Sequence, residues 1–480
     1  MAGIREDVSK SGPGWSSALK WYAKAVRELM TRPPNDRTSW RYLAGIHGFN
    51  KNTWLGAGVI DGGDPLPPTA EWNGRMWSQC QHQGWYFLPW HRGYLHAFEA
   101  IVGAAVKELG GPSDWALPYW NYFSSDPSAY QMHAAFTDPQ MPDGSDNALA
   151  LPPRNSTELD LTQIDLDAMQ FHRYTSAAGT LGFGGGMTAF SHFGGLTGAL
   201  ESNPHNTVHV MIGGFMMDPD LAGLDPIFWL HHCNIDRLWA AWLTQDDNIM
   251  EGRNAWLNGP ARKFEMPGSD GKLHTFTPAD TMPGGPLAPA YDDLENGTGL
   301  PAIPAGVDEI LSGEAPMPAK TSTEPPPPAT LVGASAGKVN IGGSPATAEV
   351  KLEEAAAEIA GDPTEQRIFL NLENVRGEAP SATLILRIGA PAAGAVPASE
   401  SSYVKSVALF GLAKASASDG EHGGNGINVA VDITDIAKKL AQEAGVPVDK
   451  LEVHIEQASV APGQPAVTVE RISIYKQPVE

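Results

Sequence analysis

Residues 225–243 read DPIFWLHHCNIDRLWAAWL, and their reading decides the fold. Asp225 followed by Pro226 starts a helix well: a carboxylate can cap the first backbone N–H groups, and the fixed φ of proline suits the first turn. The apolar residues that follow predict a buried helix, and they carry His231 and His232 into the core with them. A helix turns about 100° per residue, so the two cannot face one metal equally, and the spacing does not choose between them. A second stretch, ESNPHNTVHVMIGG (201–214), sets His205 and His209 at i and i+4, on one face of a helix. Upstream, His47, His82 and His91 supply three more imidazoles. Two clusters of imidazole suit Zn, Cu, Fe or Ni, and lean away from Mg and Ca, which prefer oxygen.

Composition bounds the rest. With 480 residues the chain exceeds one ordinary domain, and two are expected. The 14 Trp allow large cores, while no run of about 18 apolar residues is present to span a bilayer. A formal charge of -23 argues against nucleic acid as a partner and for a self-repelling surface. MAGIREDVSK has neither a basic nor an apolar leader segment, so a cytoplasmic protein is expected. Only Cys80 and Cys233 occur, which excludes a disulfide framework.

The chain changes character near residue 300. Residues 1–300 carry the tryptophans and twelve of the 14 His. GWSSALKWYAKAVRELM and PWHRGYLHAFEAIVGAAVKELG have helical spacing, and Gly/Pro-rich loops lie between the helices, notably over 123–160 and 176–200. Residues 301–328, ending in Pro325 to Pro328, read as a semi-rigid linker. Over 329–480, runs such as QRIFLNLENV, SATLILRIG and AVTVERISIY alternate with period 2, the signature of a β-sandwich, interrupted by one helix near Thr434 to Ala444. The expected architecture is a mainly α, bundle-like domain with long loops, followed by a smaller β-sandwich. Facing helices of a bundle are a known way to hold two metals.

GWYFLPWHRGYLHAFE (84–99), NPHNTVHVMIGG (203–214) and the 225–243 stretch resemble, in order, the two copper-binding signatures of tyrosinases and polyphenol oxidases, which are type-3 copper proteins. The tail is similar to the C-terminal domain of plant and some bacterial members. The resemblance implies two copper ions, the first on His47, His82 and His91 and the second on His205, His209 and His232, with O2 as co-substrate. A structural zinc site is the alternative, but it takes four ligands, commonly with Cys. The spacing Cys80-Gln81-His82 resembles the thioether cross-link between a cysteine and a ligand histidine seen in many members; a small buried thiol is the bland reading.

The same resemblance implies oxidation of an o-diphenol to an o-quinone, with ortho-hydroxylation first when the substrate is a monophenol. Hydroxylation needs the phenolate, yet a phenol of pKa near 10 is only about 0.1% ionised at neutral pH. Glu201 and Asn206 match a Glu and Asn that order a proton-accepting water in relatives, against the alternative that Glu201 is an ordinary carboxylate at a helix start. Val210, Pro219 and Phe228 stand where relatives line the substrate pocket, and an aliphatic Val210 puts no charge there. Asp236, at i+4 from His232, is a candidate to orient that ligand or else to pair with Arg237. Relatives close the catalytic domain with Tyr-x-Tyr and an N-terminal arginine. Here the string is Pro289-Ala290-Tyr291, so the first tyrosine is absent, and Arg5 is the candidate arginine.

The expected function is that of a tyrosinase acting on small phenols, with no nucleic-acid or membrane partner; a homo-oligomer stays open. The alternatives are an oxidase limited to o-diphenols or o-aminophenols, and a non-enzymatic O2 carrier of the hemocyanin type, which the lack of internal repeats disfavours. The C-terminal domain would either cover the copper pocket until the linker is cut or simply stabilise the protein.

Overall fold

Burial along two helices explains how the front of the chain folds. In the computed structural model, α1 (Ser17–Thr31), α2 (Trp40–His47), α3 (Lys51–Gly56), α4 (Phe87–Glu108), α5 (Thr207–Ile212) and α6 (Pro226–Trp242) are the helices that matter for the site. The structure describes residues 3–12, 14–73, 75–150, 154–191, 195–295, 297–299, 319–342, 344–353, 366–389, 402–418, 423–444, 450–458 and 466–479. Most of the 301–328 linker, and the Gly445 expected to end the C-terminal helix, lie outside them.

The chain divides into two compact units. The first comprises Met1–Gln81, Tyr86–Met169 and Met211–Thr321; the second comprises His82–Trp85, Gln170–Val210 and Ser322–Glu480. Two segments of the front region therefore cluster with the C-terminal strands, which composition along the chain does not reveal.

In the first unit α6 is buried nearly all round, as its sequence demands, and α4 packs against both α6 and α1. Asp225 caps α6 through the Ile227 N–H and is itself gripped by Arg154, at 2.6 and 2.9 Å. Phe98 and Trp229 stack with centroids 3.5 Å apart, joining α4 to α6 through two aromatic rings.

In the second unit the alternating runs become strands β1 (Thr330–Ser335), β2 (Val339–Ile341), β3 (Ala346–Leu352), β4 (Gln366–Val375), β5 (Ser381–Gly389), β6 (Ser402–Phe410), β7 (Ile427–Asp432), β8 (Lys450–Gln457), β9 (Val467–Val469) and β10 (Arg471–Pro478). Eight form one antiparallel sheet in the order β6-β5-β8-β3-β1-β10-β4-β7, and β9 pairs with β2. Alternate residues such as Leu370, Leu384, Leu386, Val453, Ile455 and Ile472 enter one apolar core. α7 (Thr434–Ala444) follows β7, and the Asp432 side chain accepts from the Thr434 N–H at its start.

The sheet also holds the front-region segment. Asn371 on β4 donates to the Gly179 carbonyl (2.7 Å), and Asn428 on β7 donates to the Gly195 carbonyl (3.0 Å). Gly179 has φ +78°, and a Cβ there would lie 2.5 Å from the Tyr475 ring, so the approach needs glycine twice over.

Candidate dinuclear copper site

His47, His91, His231 and His232 lie in the first unit. His47 is the last residue of α2, a helix capped by Ser39, and its Nδ1 lies 2.9 Å from the Pro219 carbonyl. A carbonyl only accepts, so Nδ1 carries the proton and the lone pair is on Nε2. His91 repeats the arrangement one turn inside α4, where Nδ1 donates to the Phe87 carbonyl at 2.8 Å. Both rings are thus set as Nε2 ligands by backbone acceptors, the usual way a ligand imidazole is oriented.

On α6 the adjacent histidines diverge. The His232 ring stacks on His91, centroids 4.7 Å apart and 17° between planes, and lies 6.2 Å from His47. His231 turns toward Tyr122, whose hydroxyl is 3.3 Å from its Nδ1. Phe228 packs at 4.1 Å from His232 and 4.9 Å from His47, one turn before the former on the same helix face.

His82, His205 and His209 lie in the second unit. His205 and His209 have centroids 4.6 Å apart and His82 lies 5.8 Å from His205. The helix bearing the pair is not regular: Glu201–Asn206 is a wide turn with Asn203 in extended backbone, and the regular helix α5 begins only at Thr207. Asn206 Oδ1 sits 2.9 Å from His205 Nδ1, so this side chain orients a histidine. Glu201 is buried; its Oε1 accepts from the Gln83 N–H at 2.7 Å, and Oε2 has no hydrogen-bond partner among the described residues. Burial pushes its carboxyl up to about 8, against the pull of the Gln83, Gly198 and Gly84 N–H groups.

Phe410, at the end of β6, was not singled out by sequence. Its ring stacks on His209 (4.3 Å, 25°) and lies 5.9 Å from His205 and 5.7 Å from His82. Gly411 follows in the left-handed region, φ +77°, and turns the chain back. Val210 is half-buried, Pro219 is buried and joined to His47 as above, and Cys80 is a buried cysteine.

Asp236 takes neither expected role. Its carboxylate accepts from Arg92 (2.6 Å), Arg5 (3.1 Å) and the Tyr291 hydroxyl (2.6 Å), making a buried knot that ties α6 to α4 and to the ends of the unit. Arg5 also pairs with Glu99 at 3.0 Å and donates to the Tyr291 hydroxyl at 2.9 Å, so Tyr291 and Arg5 meet without the missing tyrosine.

Among the described residues, the histidines form two triads that could each hold a metal ion: His47, His82 and His91, and His205, His209 and His231. The donor set is imidazole throughout, with no carboxylate or paired thiolate, and it fits copper. The second triad takes His231 where the copper signature points to His232, and His232 itself lies against His91 and Phe228.

Among solved structures, latent apple tyrosinase aligns with a TM-score of 0.60 at 18% identity, over 99% of this chain and 97% of that one. A functional unit from octopus hemocyanin aligns at 0.50 and 16%, over the whole of both. At such identities the likeness is one of fold, and within that fold stand two histidine triads that could each hold a metal ion. A family model described as the common central domain of tyrosinase matches residues 37–164 and 150–245, and a domain of unknown function (DUF7868) matches 328–477. Tyrosinase HcTyr1 of Hahella sp. (strain CCB-MM4) is 35% identical over 96% of this chain and 97% of its own, and the latent polyphenol oxidase of Prunus armeniaca is 32% identical over 34% of this chain and 30% of its own. The chain belongs to the tyrosinase family.

Proposed function

We propose that this protein is a tyrosinase that hydroxylates monophenols and oxidises o-diphenols to o-quinones with O2. The observation that carries the reading is the pair of histidine triads in a chain similar along its whole length to a tyrosinase. The ligands are His47, His82 and His91 for one copper and His205, His209 and His232 for the other. His232 is the ligand that the copper signature points to, while the donor atoms of His205 and His209 group with His231, whose Nδ1 alone is taken up by Tyr122. When bound, the copper pair supplies O2 binding and two-electron redox capacity.

The chain's own part is to take the phenol proton and to seat the ring. Glu201 is the base: its Oε1 is fixed by the Gln83 N–H, leaving Oε2 to accept a proton, directly or through water held with Asn206. Burial, partly offset by the Gln83, Gly198 and Gly84 N–H groups, raises the Glu201 carboxyl to about 8; two cations, once bound, would draw that midpoint down and favour the carboxylate. Phe228, Val210 and Pro219 border the substrate space, and with copper loaded a Cys80–His82 thioether would form by loss of the thiol hydrogen and one ring hydrogen of His82, the two electrons passing to O2. Phe410 stacks on His209, and an aromatic ring held against a ligand histidine supports the C-terminal region acting as a cover.

The test runs copper-loaded wild type and Glu201→Gln on tyrosine and a catechol in parallel, following quinone absorbance. The variant is expected to lose tyrosine turnover about 100-fold while catechol turnover changes little. Catechol turnover alone by wild type, before and after linker cleavage, would leave a diphenol oxidase and remove the role of Glu201.

A further inference from the structure

The segment 213–224, which joins the helix bearing His209 to the helix bearing His232, lies against the end of α2. Two of its carbonyls are taken by side chains from the α2–α3 region: Pro219 O by His47 Nδ1 at 2.9 Å, and Asp220 O by Trp54 Nε1 at 2.5 Å. Gly48 lies directly beneath. Its backbone is ordinary extended chain (φ −158°, ψ 143°), so no conformational need explains a glycine. Space does: a Cβ would stand 2.1 Å from Pro219 O, 2.7 Å from its carbonyl carbon and 2.9 Å from Asp220 Cα. These are backbone atoms, and no side-chain rotation relieves the overlap.

We infer that Gly48, Pro219 and Trp54 form a positioning device for the first copper: Gly48 admits the 219–220 backbone, Trp54 pins it, and the Pro219 carbonyl fixes the ring and tautomer of His47. Pro219 thereby has a role apart from bordering substrate. The inference rests on the copper reading of the site.

The test uses the full-length protein, stripped of metal and reloaded with copper. Wild type binds two copper ions per chain, and its oxidised, coupled pair is silent in EPR. In Gly48→Ala the displaced carbonyl releases the His47 ring, and affinity for one of the two coppers falls by about 10- to 100-fold. At limiting copper the variant holds one ion per chain and shows the EPR signal of a lone Cu(II). Trp54→Phe keeps the aromatic packing and removes only the donor to Asp220, and is expected to weaken the same ion by a smaller factor. Metal-free Gly48→Ala is expected to melt below wild type because its overlap is with backbone, so Trp54→Phe, whose metal-free protein should melt near wild type, separates a positioning role from general loss of stability. Two coppers bound with wild-type affinity by both variants would overturn the proposal, as would equal loss of both ions. Wild type binding fewer than two would instead overturn the copper reading itself.

Discussion

Glu201 concentrates the chemistry of the site into one carboxyl group. Because burial raises it to about 8 and bound cations lower it, its base form grows as pH rises through a midpoint below that value. The kcat/KM for a monophenol should therefore show an acid limb that Glu201→Gln abolishes, while the limb for a catechol is unaffected; a pH profile from about 5 to 9 on both substrates checks this. Phe410 makes the opposite prediction. Removing its ring in Phe410→Ala uncovers His209, and turnover of a bulky catechol by the uncut chain should rise several-fold. Trimming between Gly299 and Ala329 should do the same, and unchanged activity in both proteins would mean that the C-terminal region only stabilises. At this scale the sequence was informative where partners are close along the chain. His205 and His209 stand four apart, and their shared face could be read directly. Phe410 touches His209 from 201 positions away, and nothing in YVKSVALFGL marks its phenylalanine as different from any inward residue of a strand.

Among the elements, α6 carries the heaviest load, since it bears the His231–His232 pair, Phe228 and Asp236. Its cap is a buried ion pair with Arg154, whose partners include the Leu149 carbonyl at 3.1 Å. Asp225→Ala removes the cap and leaves the guanidinium buried without its carboxylate, and should cost about 3–5 kcal/mol, measurable by chemical denaturation of the metal-free protein. The helix itself was legible, because Asp-Pro followed by an apolar run is a local signal. The knot around Asp236 was not: Arg5, Arg92 and Tyr291 lie 231, 144 and 55 positions away, and a surface pair with the neighbouring Arg237 is the natural reading without the fold. The wide turn over Glu201–Asn206 was equally hidden, since i, i+4 spacing describes a regular helix and Pro204 interrupts this one.

For the whole molecule, metal and fold are linked. Copper binds the folded chain through imidazoles that no unfolded chain holds together, so removing it with a chelator should lower the melting temperature, and the loss should reverse on reloading. Gly179→Ala tests the second unit: with a left-handed φ and the Tyr475 ring in the way, it should destabilise by about 1–3 kcal/mol and loosen the segment that leads to Glu201. Composition separated a Trp- and His-rich front from a strand-rich tail, and both kinds of structure are present. It missed that residues 82–85 and 170–210 cluster with the tail, because that membership is written in single hydrogen bonds from Asn371 and Asn428 rather than in any run of residues.

That interleaving has a consequence for how the protein is made. Strand β10 sits in the interior of its sheet, between β1 and β4, although it comes after both in the chain. During vectorial synthesis the segment carrying Glu201, His205 and His209 emerges long before the strands it must dock on. Such high contact order makes closure slow and late. Copper offered to a nascent chain would meet scattered imidazoles, so assembly of the dinuclear centre belongs after release: a fragment synthesised only as far as residue 300 should fail to acquire both ions, whereas a full chain cut in the linker after copper loading keeps them.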